Sequence, residues 1–538
     1  MSFDSSKFGR ATMCIALLVL SAVPAVFARS REQYSAKREF SKTLPLGAGQ
    51  TLAVENKFGE VRVHGENSRD VKIVATIRTQ AGSQEKADRR ADEIRIEVSP
   101  DGQGIKVRTV NPDESFVVLR IGNNTSYSVD YDISVPNDAK LWVKNAFGNA
   151  DVRGVQGWTE VVNSNGNVIL HDSGAAKLTN SFGSVESGNA SGKLTVINAN
   201  GPVSVAGVKG DLDVKDRFAS ITISGVQGAA SVSGGNGTVE LTDVGPSVVS
   251  NSFGAVTARN VHGDITINDS NGAIDVNDVN GAAELNTSFG SISFNNISGR
   301  VKCNSSNANV HGAKVGELFV KTSFGGVTLE QISGALRVEN SNGDVTVKDA
   351  KGYATLSTSF GAIEASGLSK GVHATTGNGR IELNDVSGDA YAKTSFGTIN
   401  VQRVSGNLTI ENSNGAVSAG AVSGDTSAKT SFGAVKLEDL GGAVTVDNQN
   451  GSVSVTARAG GSCKNVSVKT SFSPIQVRLP GGAEYNLTAH TSFGRINSEL
   501  PVTSTGQISG ESLNGKIGNG GCALSLTNSN SNIDILKR

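Results

Sequence analysis

The sequence predicts an all-β protein: a parallel β-solenoid of about 18-residue rungs, preceded by an N-terminal β-rich capping module that contains one helix. Three observations carry this. Ser-Phe-Gly or a near variant recurs at Phe147, Phe182, Phe218, Phe253, Phe289, Phe324, Phe360, Phe396 and Phe432, every 35 or 36 residues. Ser-Asn-Gly or a variant stands midway in each interval, at Asn165, Asn200, Asn236, Asn271, Asn307, Asn342, Asn378, Asn414 and Asn450, which halves the true unit. Apolar residues alternate with polar ones between the marks, the period of a strand rather than a helix. A unit this short cannot bury its apolar face alone and must stack on copies of itself.

Residues 1–28 read as a secretory signal. Lys7 and Arg10 form a basic start, Ala11 to Ala25 an apolar stretch, and Val26-Phe27-Ala28 a cleavage site. The segment 29–145 reads as the cap. Val61-Arg62-Val63, Val71-Lys72-Ile73-Val74 and Tyr131 to Val135 alternate as half-buried strands, whereas Ala87, Ala91 and Ile94 recur at helical spacing behind Ser83 as N-cap. A cap is expected because an open solenoid end is a sheet edge that invites aggregation.

Residues 146–538 read as the solenoid, less regular from about 456. In the rung that starts at Phe432, Val435 and Leu437 form one inward pair and Val444 and Val446 another, with Gly441-Gly442 turning the chain between them. About 22 such rungs at about 4.8 Å imply a rod on the order of 100 Å long. Ala258, Ala365, Ala374, Ala392, Ala419 and Ala428 stand where other rungs hold valine, so the interior is narrow. A 36-residue coil of four strands is the alternative, and it needs bulkier filling.

Two residues before the marks stand Asn or Thr, among them Asn163, Asn180, Asn198, Thr287, Thr322, Asn340, Thr358, Thr376, Thr394, Asn412, Thr430, Asn448, Thr470 and Thr491. Parity turns them inward, where they can satisfy turn backbone groups and hold register. The same parity places the marker phenylalanines and asparagines near the end of the core, as a structural ladder in which one ring fills the space of two rungs. On that reading Phe360→Ala costs about 3–5 kcal/mol. The competing reading is an exposed adhesive row.

Asp172, Asp243, Asp278, Asp349, Asp385 and Asp439 share one rung position, replaced elsewhere by Asn260, Asn296, Gln331, Gly367 or Arg403. The glycine-rich loop of a calcium-binding β-roll is absent, so turn stabilisation is expected there rather than a metal row. His64, His171, His262, His311, His373 and His490 fall at different rung positions, and no nucleophile or metal-ligand spacing appears. No catalytic, cofactor-binding or metal residue is therefore expected. With a net charge of −1 and no Lys/Arg run, nucleic acid is not an expected partner. No stretch after the signal reaches the length of a membrane span. Cys303, Cys463 and Cys522 remain once the signal is removed; free buried thiols are expected, with a Cys463 to Cys522 bridge only if the C-terminal rungs bring them together.

The β module entering through Asp130 to Pro136, the repeated G-x-V-x-V-x-x-V-x-G pattern, and the close from Gly515 to Gly521 followed by Asn528 to Ile535 resemble the DUF4097 family of adhesin-like proteins. The resemblance spans nearly the whole chain after the signal. It implies an exported or envelope-associated β-solenoid and supplies no catalytic residue. The expected function is a non-catalytic exported cell-envelope or surface interaction protein, periplasmic, envelope-associated or secreted. Its ligand would be an envelope or extracellular polysaccharide, lipid or protein. The alternative is a carbohydrate-active β-helix enzyme or a calcium-dependent binding protein.

Overall fold

Each rung contributes one strand to each of two long sheets, and the next rung repeats both in parallel register 17 or 18 residues later. In one sheet Val345 pairs with Ile363, then Ile381, Ile399, Val417 and Val435. In the other Leu336 pairs with Ala354, Val372, Ala390 and Leu408. The computed structural model describes residues 33–111, 125–460, 462–504 and 509–538; the signal segment lies outside them. The result is a parallel β-solenoid of about 19 turns of about 18 residues, slightly fewer than the sequence count.

The strict alternation of valine, leucine and isoleucine with polar residues gives one continuous core from Leu46 to Ile535, between the two sheets. The alanines at valine positions are all buried in it, as is the Cys303 thiol, whose pKa burial pushes up. Burial of so many aliphatic side chains is the main favourable term, at roughly 25 cal/mol per Å² of apolar surface.

The cap extends both sheets rather than sitting across them. Strand Thr51–Phe58 pairs in parallel with Lys140–Phe147 and Val61–Glu66 with Ala150–Arg153, so the first rung is formed by the cap itself. Beyond it one sheet continues through Ser126–Pro136, parallel to Val61–Glu66, and ends in the antiparallel strands Asp70–Ala81 and Tyr34–Pro45; the other continues through Gly104–Val110, parallel to Thr51–Phe58, and ends in antiparallel Arg95–Asp101. Helix Gln84–Glu93 follows Ser83, whose side chain caps Lys86 N, and buries Ala87 and Ala91 against this edge.

At the far end the order of strands departs from the order of the chain. Cys522–Asn528 inserts between Val466–Thr470 and Tyr485–Thr491, and Ile533–Lys537 between Ile475–Leu479 and Ile496–Ser498. The last rung in sequence is therefore second to last in space. The antiparallel strand Ser512–Ile517 then covers part of the open end. This insertion brings Cys522 beside Cys463, and the two form a disulfide across a Cα separation of 5.8 Å. The expectation of three free thiols is corrected here; only Cys303 is free among the described residues.

Candidate interaction site

The marker turn is built from the inside outward. Asn412 is buried and donates its amide to Gly397 O at 3.0 Å in the rung below and to Gly415 O at 2.8 Å in its own turn. Asn340 does the same to Gly325 O and Gly343 O, both at 2.9 Å. In threonine rungs one hydroxyl serves: Thr376 Oγ1 donates to Gly361 O at 3.0 Å and accepts from Gly379 N at 3.2 Å. Apart from Thr430, whose hydroxyl finds no partner, the inward Asn/Thr column is thus a set of side-chain to backbone clamps. It satisfies carbonyls that would otherwise be buried without a partner. The marker glycine must be glycine because the rungs approach so closely: a Cβ on Gly415 would lie 1.9 Å from Gly397 O.

This clamp decides where the marker phenylalanines go. Strand Ala354–Ser357 ends at Ser357, and Thr358 closes the corner before Phe360 by accepting from Gly361 N. The chain turns at this corner and leaves the marker side chain outside the core, even in Ala176–Phe182 and Ala283–Phe289, where the strand runs on to the ring and alternation alone would point it inward. Phe147, Phe182, Phe218, Phe253, Phe289, Phe324, Phe360, Phe396 and Phe432 are 47–66% exposed, and Phe472 and Phe493 extend the series at 62% and 79%. The expectation that these rings plug the core is overturned. They stand in one file along the edge where the chain passes between the sheets.

The marker asparagines occupy the alternate steps of the same file. Asn165 pairs in register with Phe147 and Phe182, and Phe182 with Asn200. Their amides are tied down: Asn165 donates to Ala146 O at 3.2 Å, Asn342 to Ser323 O at 3.2 Å and Asn414 to Ser395 O at 3.1 Å, each in the rung below. Asn200, Asn271 and Asn450 make the same bond, whereas Asn236 and Asn378 hold the step through backbone N–H groups. The rungs of the file thus alternate a ring with an asparagine, flanked mostly by serine and glycine, and six of the asparagine amides are fixed low against the rung below.

On the sheet side beyond this edge, the aspartate column serves the turn, through its backbone conformation and through side-chain pairing between rungs. Asp172, Asp243, Asp278, Asp349, Asp385 and Asp439 all have φ between 52° and 58°, and so do their replacements Asn260, Asn296, Gln331 and Arg403; Gly367 has φ 71°. One left-handed residue skips a step of the pleat and lets the next side chain, such as Ala350, face inward. Aspartate and asparagine tolerate this region best among non-glycine residues. Neighbours pair along the column, as in Asn296 Nδ2 to Asp278 Oδ1 at 2.7 Å and Arg403 to Asp385, whose carboxyl is held below its ordinary range by that guanidinium.

The histidines do not converge. His262 contacts Asp243 at 2.7 Å, His171 reaches Glu186 at 3.4 Å, and His373 stacks on Tyr391 with centroids 4.4 Å apart. Among the described residues no group of three or more His, Cys, Asp or Glu is placed to hold a metal ion, and no helix is long and apolar enough to cross a membrane. One concave feature escaped the sequence reading. The longer turns around Arg458 to Lys464 and Pro480 to Glu484 enclose a cavity of about 370 Å³, floored by Leu440, Val455 and Tyr485 beside the disulfide. The lengthened interval between Asn450 and Phe472 was its sequence signal.

No family model matches the chain, and no curated protein matches it. A solved structure described as a putative cell adhesion protein from Clostridium sporogenes is similar at 11% identity, over 42% of this chain and 99% of that chain, with a TM-score of 0.16. A likeness at that score carries no argument.

Proposed function

We propose that this chain is a non-catalytic interaction protein of the cell envelope or cell surface, exported from the cytoplasm, whose binding element is the phenylalanine file. The observation that carries this reading is the exposure of nine marker phenylalanines in a single row. So many exposed aromatic rings aligned along one edge are rare on a soluble protein unless something covers them. Each half-exposed ring offers only a weak contact, but a rigid row presents many at a fixed spacing, and avidity multiplies them. The Cys463 to Cys522 disulfide supports an oxidising compartment, hence a periplasmic, envelope-associated or secreted location. Membership of the DUF4097 family belongs to the same proposal. A polysaccharide, lipid or protein of the envelope or extracellular space is the partner class.

The test is a screen of purified protein against envelope polysaccharides, lipid vesicles and peptides, with and without a calcium chelator. Saturable binding without turnover, weakened in a Phe360→Ala, Phe396→Ala double variant that melts like the parent, is the expected result. Calcium-dependent folding, or glycan cleavage abolished by removing one carboxylate, would replace this reading with the enzymatic or calcium-dependent one.

A further inference from the structure

Resting on the reading of the phenylalanine file as a binding edge, we infer that its partner is a second copy of the same edge, the two rods pairing lengthwise with their rings interdigitated.

Rungs repeat at about 4.8 Å, so rings on alternate rungs stand about 9.6 Å apart, with an asparagine step between them. A ring inserted over that asparagine would lie about 4.8 Å from each neighbour, inside the 4.5–7 Å range that aromatic pairs favour. The protein already fills one such slot. The cap rung places Phe58 one rung from Phe147 without an intervening asparagine, and the two rings stack with centroids 5.1 Å apart and planes 15° from parallel.

The slots are built to stay open. Asn165, Asn200, Asn271, Asn342, Asn414 and Asn450 fold their amides down onto the rung below, away from the space between rings. The edge is also almost uncharged, since serine and glycine flank most marks.

Commensurability selects the occupant. An unrelated polymer has its own repeat and drifts out of step with the rings over several rungs, whereas a second copy has the same pitch by construction. Shifted by one rung, every ring of one rod faces an asparagine step of the other, which makes the edge self-complementary. The area suffices: eleven phenylalanines exposed by 47–79% offer on the order of 1,000 Å² per rod, against about 800 Å² per partner in a standard stable interface.

Light scattering of the purified full chain across a concentration series should show the mass double. Two sets of substitutions separate interdigitation from simple stickiness, with circular dichroism and melting confirming that both fold. Phe360→Ser, Phe396→Ser and Phe432→Ser together should weaken dimerisation at least roughly tenfold, that is by about 1.4 kcal/mol or more. Asn342→Phe, Asn378→Phe and Asn414→Phe together make the edge more apolar but fill the slots, and should weaken it as well. Tighter association of the slot-filled variant would overturn interdigitation. A native chain that stays monomeric but binds a polysaccharide, lipid vesicle or peptide through its phenylalanines would overturn the second copy while leaving the binding edge intact. A monomer that binds none of them would remove both.

Discussion

Asn448 reaches down one rung to donate to Gly433 O at 3.0 Å, while its other amide hydrogen closes its own turn on Gly451 O at 2.8 Å. That one side chain joins two rungs and ends a strand, and it sits 1% exposed. Its repetition up the rod makes the corner rigid and turns the neighbouring marker side chain outward.

Removing such a clamp leaves two buried carbonyls short of a donor. Asn448→Ala should cost about 2–4 kcal/mol, two unmade buried hydrogen bonds at about 1–2 kcal/mol each, whereas Asn448→Thr, the residue found in sister rungs, should cost less than half as much. Chemical denaturation of the two variants measures the difference. Equal losses would show that packing, not the donor, matters at this position.

The rings should behave in the opposite way. Phe396, 66% exposed, makes little of the core, so Phe396→Ala should change stability by no more than about 0.5 kcal/mol. A melting shift as large as that of a buried aromatic would return the ring to the core and undo the binding edge.

Asp269 occupies the clamp position with a carboxyl where most rungs place a donor. Its Oδ2 and Gly254 O would lie 2.2 and 2.0 Å from a Cβ on Gly272, so two oxygens point at one space. The carboxyl is 6% exposed, and burial pushes its pKa up; N–H groups of residues 270–272 lie near but leave both oxygens without a good hydrogen bond. A folded pKa above the unfolded one means the contribution is fully present below the ordinary carboxylate value and is lost as pH rises through the folded value. Asp269→Asn supplies a donor at every pH. Relative to it, the parent should lose stability between acid and neutral solution, read by denaturation at a series of pH values. Parallel pH profiles would refute the assignment.

Ala421 holds the left-handed step of its rung at φ 55° without the local hydrogen bond that aspartate or asparagine can make. Ala421→Gly should therefore raise stability by about 0.5–1 kcal/mol, and Ala421→Val should lower it by about 1–2 kcal/mol. Thermal melts of the pair give the sign directly.

Reduction of the Cys463 to Cys522 disulfide should act at one end only. The bridge spans 59 residues and holds the intercalated rung Cys522–Asn528. With it open, limited proteolysis should cut within 500–538 first and leave the fragment up to about residue 450 intact, because rungs depend mainly on their neighbours. Cleavage spread evenly along the rod would contradict this.

Spacing and alternation alone determined the rung, the inward aliphatic pairs, the Asn/Thr clamps and the turn role of Asp349 and its equivalents. Those features are local: a pleat has period two wherever it lasts, and a left-handed step prefers the same few residues in every rung. Tertiary structure decided what lies beyond the pleat. Phe360 faces water because Thr358 ties the corner to Gly343 O at 3.2 Å, and at Phe182 the ring is outside even though the strand runs on to it, against what alternation alone predicts. Cys522 meets Cys463 because the last rung threads back between two earlier ones, a pairing set by which edge was left open and not by any periodicity in the chain.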